Sequence, residues 1–351
     1  MDFTFSDDQL TFREAISRFL MTEAAPEMLR EIWETDVGRS PDLRNKIAEQ
    51  GLTALSVPEA SGGLGMDDVA WSLMTQELGY YAIPDSLADT AYVACALIAG
   101  LPDSVFKRGE WLAGIADGSL RVAVGHPVNP WVADAGHADL LLLAHDDEVH
   151  AVPRSQVDVH HLPSLDASRR LAQVSWQPSA ATLVAEGQLG RTLWAHTLSR
   201  GALSVAGQLL GLAQRMLDLS VDYTAQRKQF GKPIGSFQAV KHHLADVATQ
   251  LEFAKPVLYR AAYALAQGQS TAHVWVSQAR LACCEAAWLA ARHGIQVHGA
   301  MGYTWEVDLQ MFMKRAWALD NAWGDRALHK ARVAAHVLSG APLGPGHTFE
   351  E

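Results

Sequence analysis

The sequence predicts a mainly α protein with a small β domain. An N-terminal helical domain is expected at residues 1–118, a middle β domain at 119–186, a C-terminal four-helix bundle at 187–340 and a loose tail at 341–351. Three observations carry this reading. Apolar residues recur at helical spacing in the first third. Short apolar runs broken by Asp, His and Pro occupy the middle. Four long Ala- and Leu-rich stretches with short connections fill the remainder.

Taken in order, Ser6 is the expected N-cap of the first helix, with Asp7 and Asp8 in its first turn. Leu10, Phe12, Ile16, Phe19 and Leu20 form its apolar stripe. A helix follows over Pro41 to Gln50, with Gly51 as its stop. Pro58 and the glycines at 62, 63 and 65 exclude regular helix there. Further helix is expected from Asp67 to about Tyr80 and near Asp85 to Gly100. Strands are expected over Leu120–Val124, Ala138–Ala144, Val149–Val152 and Ala172–Trp176. The bundle helices are expected over Thr192–Tyr223, Phe237–Gln267, His273–Val297 and Val307–Ser339, with Ser236 capping the second.

The composition narrows the function classes. With 28 Lys and Arg against 39 Asp and Glu, the chain carries a formal charge of -11. Such a chain has no electrostatic reason to seek nucleic acid or an anionic membrane. No apolar run approaches the roughly 20 residues of a bilayer span. Cys95, Cys283 and Cys284 make no disulfide framework, so a cytoplasmic location is expected. The adjacent pairs His160-His161 and His242-His243 point their side chains apart, and no metal site is expected. Of the tryptophans in the bundle, Trp317 and Trp323 read either as core anchors or as plugs of a disused cavity.

The most specific segment runs from Tyr223 to Gln238. Arg227 and Lys228 close a helix there, where cations complement the dipole, and Gly231, Pro233 and Gly235 shape the loop after it. Alone, the pair reads as a C-terminal cap. The whole segment resembles the R-x-x-F-G-x-x-x-x-x-x-Q signature of the acyl-CoA dehydrogenase family, matched by Arg227, Phe230, Gly231 and Gln238. Gln296-Val-His-Gly299-Ala-Met-Gly302-Tyr resembles that family's Q-x-x-G-G-x-G-[FY] turn, with Ala300 in place of the second glycine. Gly51 to Met66 resembles its G-L-x-x-x-x-x-P-E-x-x-G-G-x-G element, and Gly211-Leu-Ala-Gln214 precedes Arg227 as in the family. The resemblance implies an acyl-CoA dehydrogenase-like fold and FAD-dependent α,β-dehydrogenation of an acyl-CoA. It also implies that Arg227, Phe230, Gln238, Gln296 and Gly299 contact FAD across a subunit interface.

The chain departs from the family where the chemistry needs a base. The glutamate that takes the α-proton is expected at position 323, which is Trp323, followed by Gly324. An indole has a donor and no basic site. The alternative position on an earlier helix falls at Gly201, beside Ala202. Asp320 is the nearest substitute acid, on the face of Trp323 if the helix is continuous. In the β domain, the loop that holds the flavin ring is truncated to Gly125–Asp134. These departures are similar to the partner subunit of bacterial α2β2 acyl-CoA dehydrogenases of steroid side-chain degradation, as is Leu165–Leu171. That type implies a homologous subunit bearing the glutamate and an acceptor such as electron-transfer flavoprotein. The alternatives are a self-sufficient enzyme using Asp320 and a purely structural partner.

Overall fold

A computed structural model describes residues 4–35 and 39–340; the expected tail at 341–351 lies outside them. Helix α1 (Asp7–Glu23) opens with a capping box. The Ser6 hydroxyl accepts from the Gln9 amide and the Gln9 side chain accepts from the Ser6 amide. Ser6→Ala is expected to cost about 1 kcal/mol, read from a denaturation midpoint. Helix α2 (Pro26–Glu34) was not expected; α3 (Pro41–Glu49) was, and Gly51 follows it at φ 78. Helix α4 (Asp68–Tyr80) is buried on nearly every side. The next helix is narrower than expected: a π-helical turn at Asp89–Ala94 runs into α5 (Cys95–Ala99). Helix α6 (Arg108–Ala116) was also missed.

The strands fall into two sheets. β1 (Val122–Gly125), β3 (Leu140–His145), β4 (Glu148–Pro153) and β7 (Leu183–Ala185) form one, in the order β1-β3-β4-β7. β2 (Val132–Ala133), β6 (Leu171–Ser175) and β5 (Asp158–Leu162) form the other, in the order β2-β6-β5. The unexpected strands are the short or polar ones, β2, β5 and β7. Leu140 to Leu143 are all buried, which explains why β3 reads as a continuous apolar run instead of an alternating one. Ala123, Leu141, Leu143 and Val152 from one sheet share a core with Val132 and Ala172 from the other.

Helix α7 (Gly187–Gln226) leads to a two-residue hairpin, β8 (Lys228–Gln229) against β9 (Lys232–Pro233). Then come α8 (Gln238–Ala266), α9 (Ala272–His298), α10 (Leu309–Leu319) and α11 (Arg326–Leu338). The fourth bundle helix is therefore two helices, broken where Trp323 (φ 55) and Gly324 (φ 92) both take left-handed backbone. Ser236 does not cap α8: it belongs to a 3-10 turn and donates to the Pro233 carbonyl at 2.7 Å.

Contacts group the chain into two compact units. One draws on Met1–Pro26, Asp68–Ile83 and Ala202–Glu351; the other on Glu27–Asp67 and Pro84–Gly201. In the first, α4 and α7 cross at glycines. A Cβ on Gly211 would stand 1.9 Å from the Gln76 carbonyl oxygen, one on Gly207 2.0 Å from Thr75 Oγ1, and one on Gly79 2.1 Å from the Gln208 carbonyl oxygen. Only hydrogen fits at these points, so the backbones touch. Among the described residues no helix is long and apolar enough to cross a membrane.

Candidate active site and cofactor surface

The end of α7 and the end of α9 carry the expected cofactor residues, and the structure joins their bases. Tyr223 stacks on His298, ring centroids 4.1 Å apart at 21°. The His298 Nδ1–H donates to the Gly294 carbonyl at 2.8 Å, and burial lowers its pKa, so the ring stays neutral and stacked at pH 7. Gly294 stands 3.2 Å, from its ideal Cβ, to Ser220 Oγ, so this crossing is close too.

From that base the side chains project outward. Arg227 follows the last turn of α7, its amide bonded to the Tyr223 carbonyl and its carbonyl accepting from Ile234. Its guanidinium is exposed and makes no hydrogen bond or ion pair among the described residues. Phe230 and Gly231 form the hairpin tip, both at positive φ (52 and 78). A two-residue hairpin needs that backbone pair, and a phenylalanine there is sterically unfavourable. The Phe230 ring is 91% exposed and meets Phe237 edge-on, ring centroids 6.1 Å apart. Gln238, in the first turn of α8, and Gln296, near the end of α9, are exposed. Gly299 takes φ 60 with open space where a Cβ would stand. Ala300 lies in the following 3-10 turn without positive φ, so the lost glycine causes no backbone strain. Beside that turn, Tyr303, Trp305, Lys314 and Trp317 line a pocket of about 130 Å³.

Neither expected base position offers a proton acceptor. Gly201 and Ala202 are buried in α7. Trp323 is 4% exposed, and its carbonyl accepts from His329 Nε2 at 3.0 Å. Burial, followed by the charge of Arg280, pushes His329 down to about 4, so it too is neutral. The expectation that Asp320 shares a helical face with Trp323 fails, because α10 ends at Leu319 and the chain turns between them. Asp320 is instead occupied. Arg326 Nε lies 3.0 Å from one oxygen, Arg280 Nη1 3.7 Å from the other, and the Cys284 thiol donates to it. These contacts occupy the carboxylate oxygens that a base would present to substrate.

The truncated loop turns its polar groups inward. His126 Nδ1 accepts from the Val128 amide at 3.0 Å, so Nε2 donates to the Trp194 carbonyl at 3.0 Å. Asp134, at the loop's end, is buried at φ 56. It is ion-paired with Arg39 and accepts from the Ser86 hydroxyl (2.5 Å) and amide (3.1 Å). Arg39 Nη1 also donates to the Ser168 carbonyl at 2.6 Å, and Ser168 donates to buried Asp166. The Leu165–Leu171 segment is thus a structural clamp on this loop.

One constellation was missed. His145, Glu148 and His150 bring three ligand atoms within 4.8 Å of one another. The spacing His-x-x-Glu-x-His is visible in the sequence, but it forms a cluster only because β3 and β4 pair His145 with Glu148.

Comparison with known proteins places these features in a family. Residues 6–119 match the acyl-CoA dehydrogenase N-terminal domain and residues 189–338 the acyl-CoA dehydrogenase C-terminal domain. The chain is 32% identical over 335 residues to acyl-CoA dehydrogenase IpdE2 of Mycolicibacterium smegmatis, covering 95% of this chain and all of that one. Its fold is similar to a chain of the ChsE4-ChsE5 complex from Mycobacterium tuberculosis, with TM-score 0.87, 22% identity, and 97% and 100% of the two chains covered. It is also similar to the Tcur3481-Tcur3483 steroid ACAD G363A variant, with TM-score 0.84, 20% identity, and 95% and 99% covered. The chain belongs to the acyl-CoA dehydrogenase family of flavin-dependent oxidoreductases.

Proposed function

We propose that the chain is the partner subunit of a heteromeric, α2β2 acyl-CoA dehydrogenase, sharing FAD with a homologous subunit that bears the catalytic glutamate. The observation that carries this reading is a contrast within one chain. The five proposed cofactor residues are exposed, and among the described residues the side chains of Arg227, Gln238 and Gln296 have no hydrogen-bond or ion-pair partner, while positions 201 and 323 hold no base. Bound FAD would supply the acceptor for the hydride that leaves the substrate's β-carbon. Toward it, Arg227 supplies a planar fork for phosphate oxygens. Gln238 and Gln296 supply amide donors and acceptors. Phe230 supplies an apolar ring, and Gly299 a backbone free of side chain. The partner supplies proton abstraction, and Trp323 fills the space of the base with a side chain that cannot compete for the α-proton. A steroid side-chain CoA thioester is the proposed substrate, supported by the steroid enzyme among the similar folds. Electron-transfer flavoprotein or a similar carrier is the proposed acceptor.

The test is expression of the chain alone and together with a homologue bearing the glutamate. The pair is expected to hold FAD and turn over acyl-CoA; turnover by the lone chain sinks the reading. In the pair, Arg227→Ala is expected to lower FAD affinity by about 10- to 100-fold, in line with the roughly 1.5–3 kcal/mol of a charged hydrogen bond. Retention of flavin during gel filtration reads this out.

A further inference from the structure

We infer that the β3–β4 hairpin carries a binding site for a borderline-soft divalent cation such as Zn2+, built from His145, Glu148 and His150. Glu148 Oε2 already lies between the two rings, 3.1 Å from His145 Nδ1 and 2.9 Å from His150 Nε2. Two imidazoles and one carboxylate are a donor set that zinc favours, at bond lengths near 2.0–2.2 Å. Tetrahedral bonds of that length set ligand atoms about 3.3–3.4 Å apart. Two of the three separations are close to this, and the third lies below 4.8 Å. Rotation of His145, whose side chain is half exposed, closes it.

The site is supported from behind. His150 is 2% exposed, and its far nitrogen, Nδ1, lies 2.9 Å from Thr182 Oγ1. Thr182 can send its own proton to the Ser179 carbonyl at 3.0 Å. The His150 Nδ1–H then donates to Thr182, leaving a lone pair at Nε2, the tautomer a cation requires. Trp176 packs against the same ring at 5.0 Å.

The turn is clamped as well. The Trp194 indole donates to the Glu148 carbonyl at 3.0 Å, and Arg191 pairs with Asp147 at 2.5 Å. Gly190 lies so close that a Cβ there would stand 1.8 Å from the Asp147 carbonyl oxygen. Asp146 beside Glu148 adds negative charge that favours a cation and disfavours an anion.

None of these residues belongs to the flavin or base positions, so the site and the proposed subunit role can fail independently. The experiment is titration of the full chain with Zn2+ against a chromophoric chelator. One ion per chain is expected to bind. Glu148→Gln and His145→Gln, both at solvent-accessible side chains, are each expected to weaken binding by at least about 10-fold. Thr182→Val is expected to weaken it by a similar factor through His150. Unchanged melting curves in the absence of metal show that each variant is folded. No binding by the native chain, or equal binding by folded Glu148→Gln and His145→Gln variants, overturns the inference.

Discussion

Asp134→Ala is expected to destabilise the protein by about 3–5 kcal/mol, the cost of leaving a buried cation without its partner. Arg39 is 9% exposed and Asp134 6%, and the Ser86 hydroxyl and amide converge on the same carboxylate. Removing the carboxylate takes the ion-pair partner from the guanidinium, which keeps the Ser168 carbonyl, and takes the acceptor from both Ser86 donors. Burial alone would raise the Asp134 pKa, but Arg39 and Ser86 outweigh it, and the net shift is downward. The sign follows directly. A carboxylate depressed in the folded state contributes stability above its unfolded pKa, about 3.9, and loses it as pH falls through the lower folded value. Denaturant midpoints across pH 2–7 are the measurement. Asp134→Asn should keep part of the hydrogen bonding while losing this acid-limb dependence. A wild-type acid limb in Asp134→Asn would mean other carboxylates govern it.

Gly211→Val is expected to be worse still, removing soluble folded protein or costing more than about 3 kcal/mol. The smallest side chain already brings a carbon to 1.9 Å from the Gln76 carbonyl oxygen and 2.7 Å from the Tyr80 amide nitrogen. Both are backbone of α4, which is buried and cannot shift alone. Gly207 and Gly79 leave equally little room, so separating the helices at one point opens the others. Gly109→Ala is the control. It lies at an exposed position of α6 with nothing within 4 Å of its Cβ, and should be neutral or stabilising by about 0.5–1 kcal/mol. Soluble yield and thermal melts distinguish the two.

The legible part of the fold was the part with a long period. α1, α3, α4 and the helices after residue 187 announce themselves through apolar spacing and caps, and Gly211 stands out as part of a recognisable element. What its spacing does not reveal is the reason for a glycine there, which is the α4 backbone, more than 130 positions earlier in the chain. The break at Trp323 was illegible for a related reason. Apolar spacing continues through it, although α10 ends at Leu319 and left-handed backbone at Trp323 and Gly324 precedes α11. The residues proposed to meet FAD were picked out by motif, but neither their exposure nor the Tyr223–His298 stack beneath them was legible. The His145, Glu148, His150 cluster was illegible because it depends on the pairing of β3 with β4. A hairpin puts residues on one face by pairing across strands and by alternation along one.

The turn at Trp323–Gly324 also decouples two rotations. In a continuous helix, one residue gained or lost turns everything beyond it by about 100° around the axis. Here α10 is anchored at its C-terminal carbonyls by Arg280, which bonds Leu319 and Asp320 at 3.0 and 2.7 Å. α11 starts afresh from Asp325, whose carboxylate accepts from the Leu328 amide at 2.8 Å. Each helix sets its own azimuth, and the joint between them acts as a swivel. Sequence change on one side of residue 323 therefore leaves the facing of the other side intact. In the subunit role proposed above, the chain can vary around that position without re-aiming the helices that flank it.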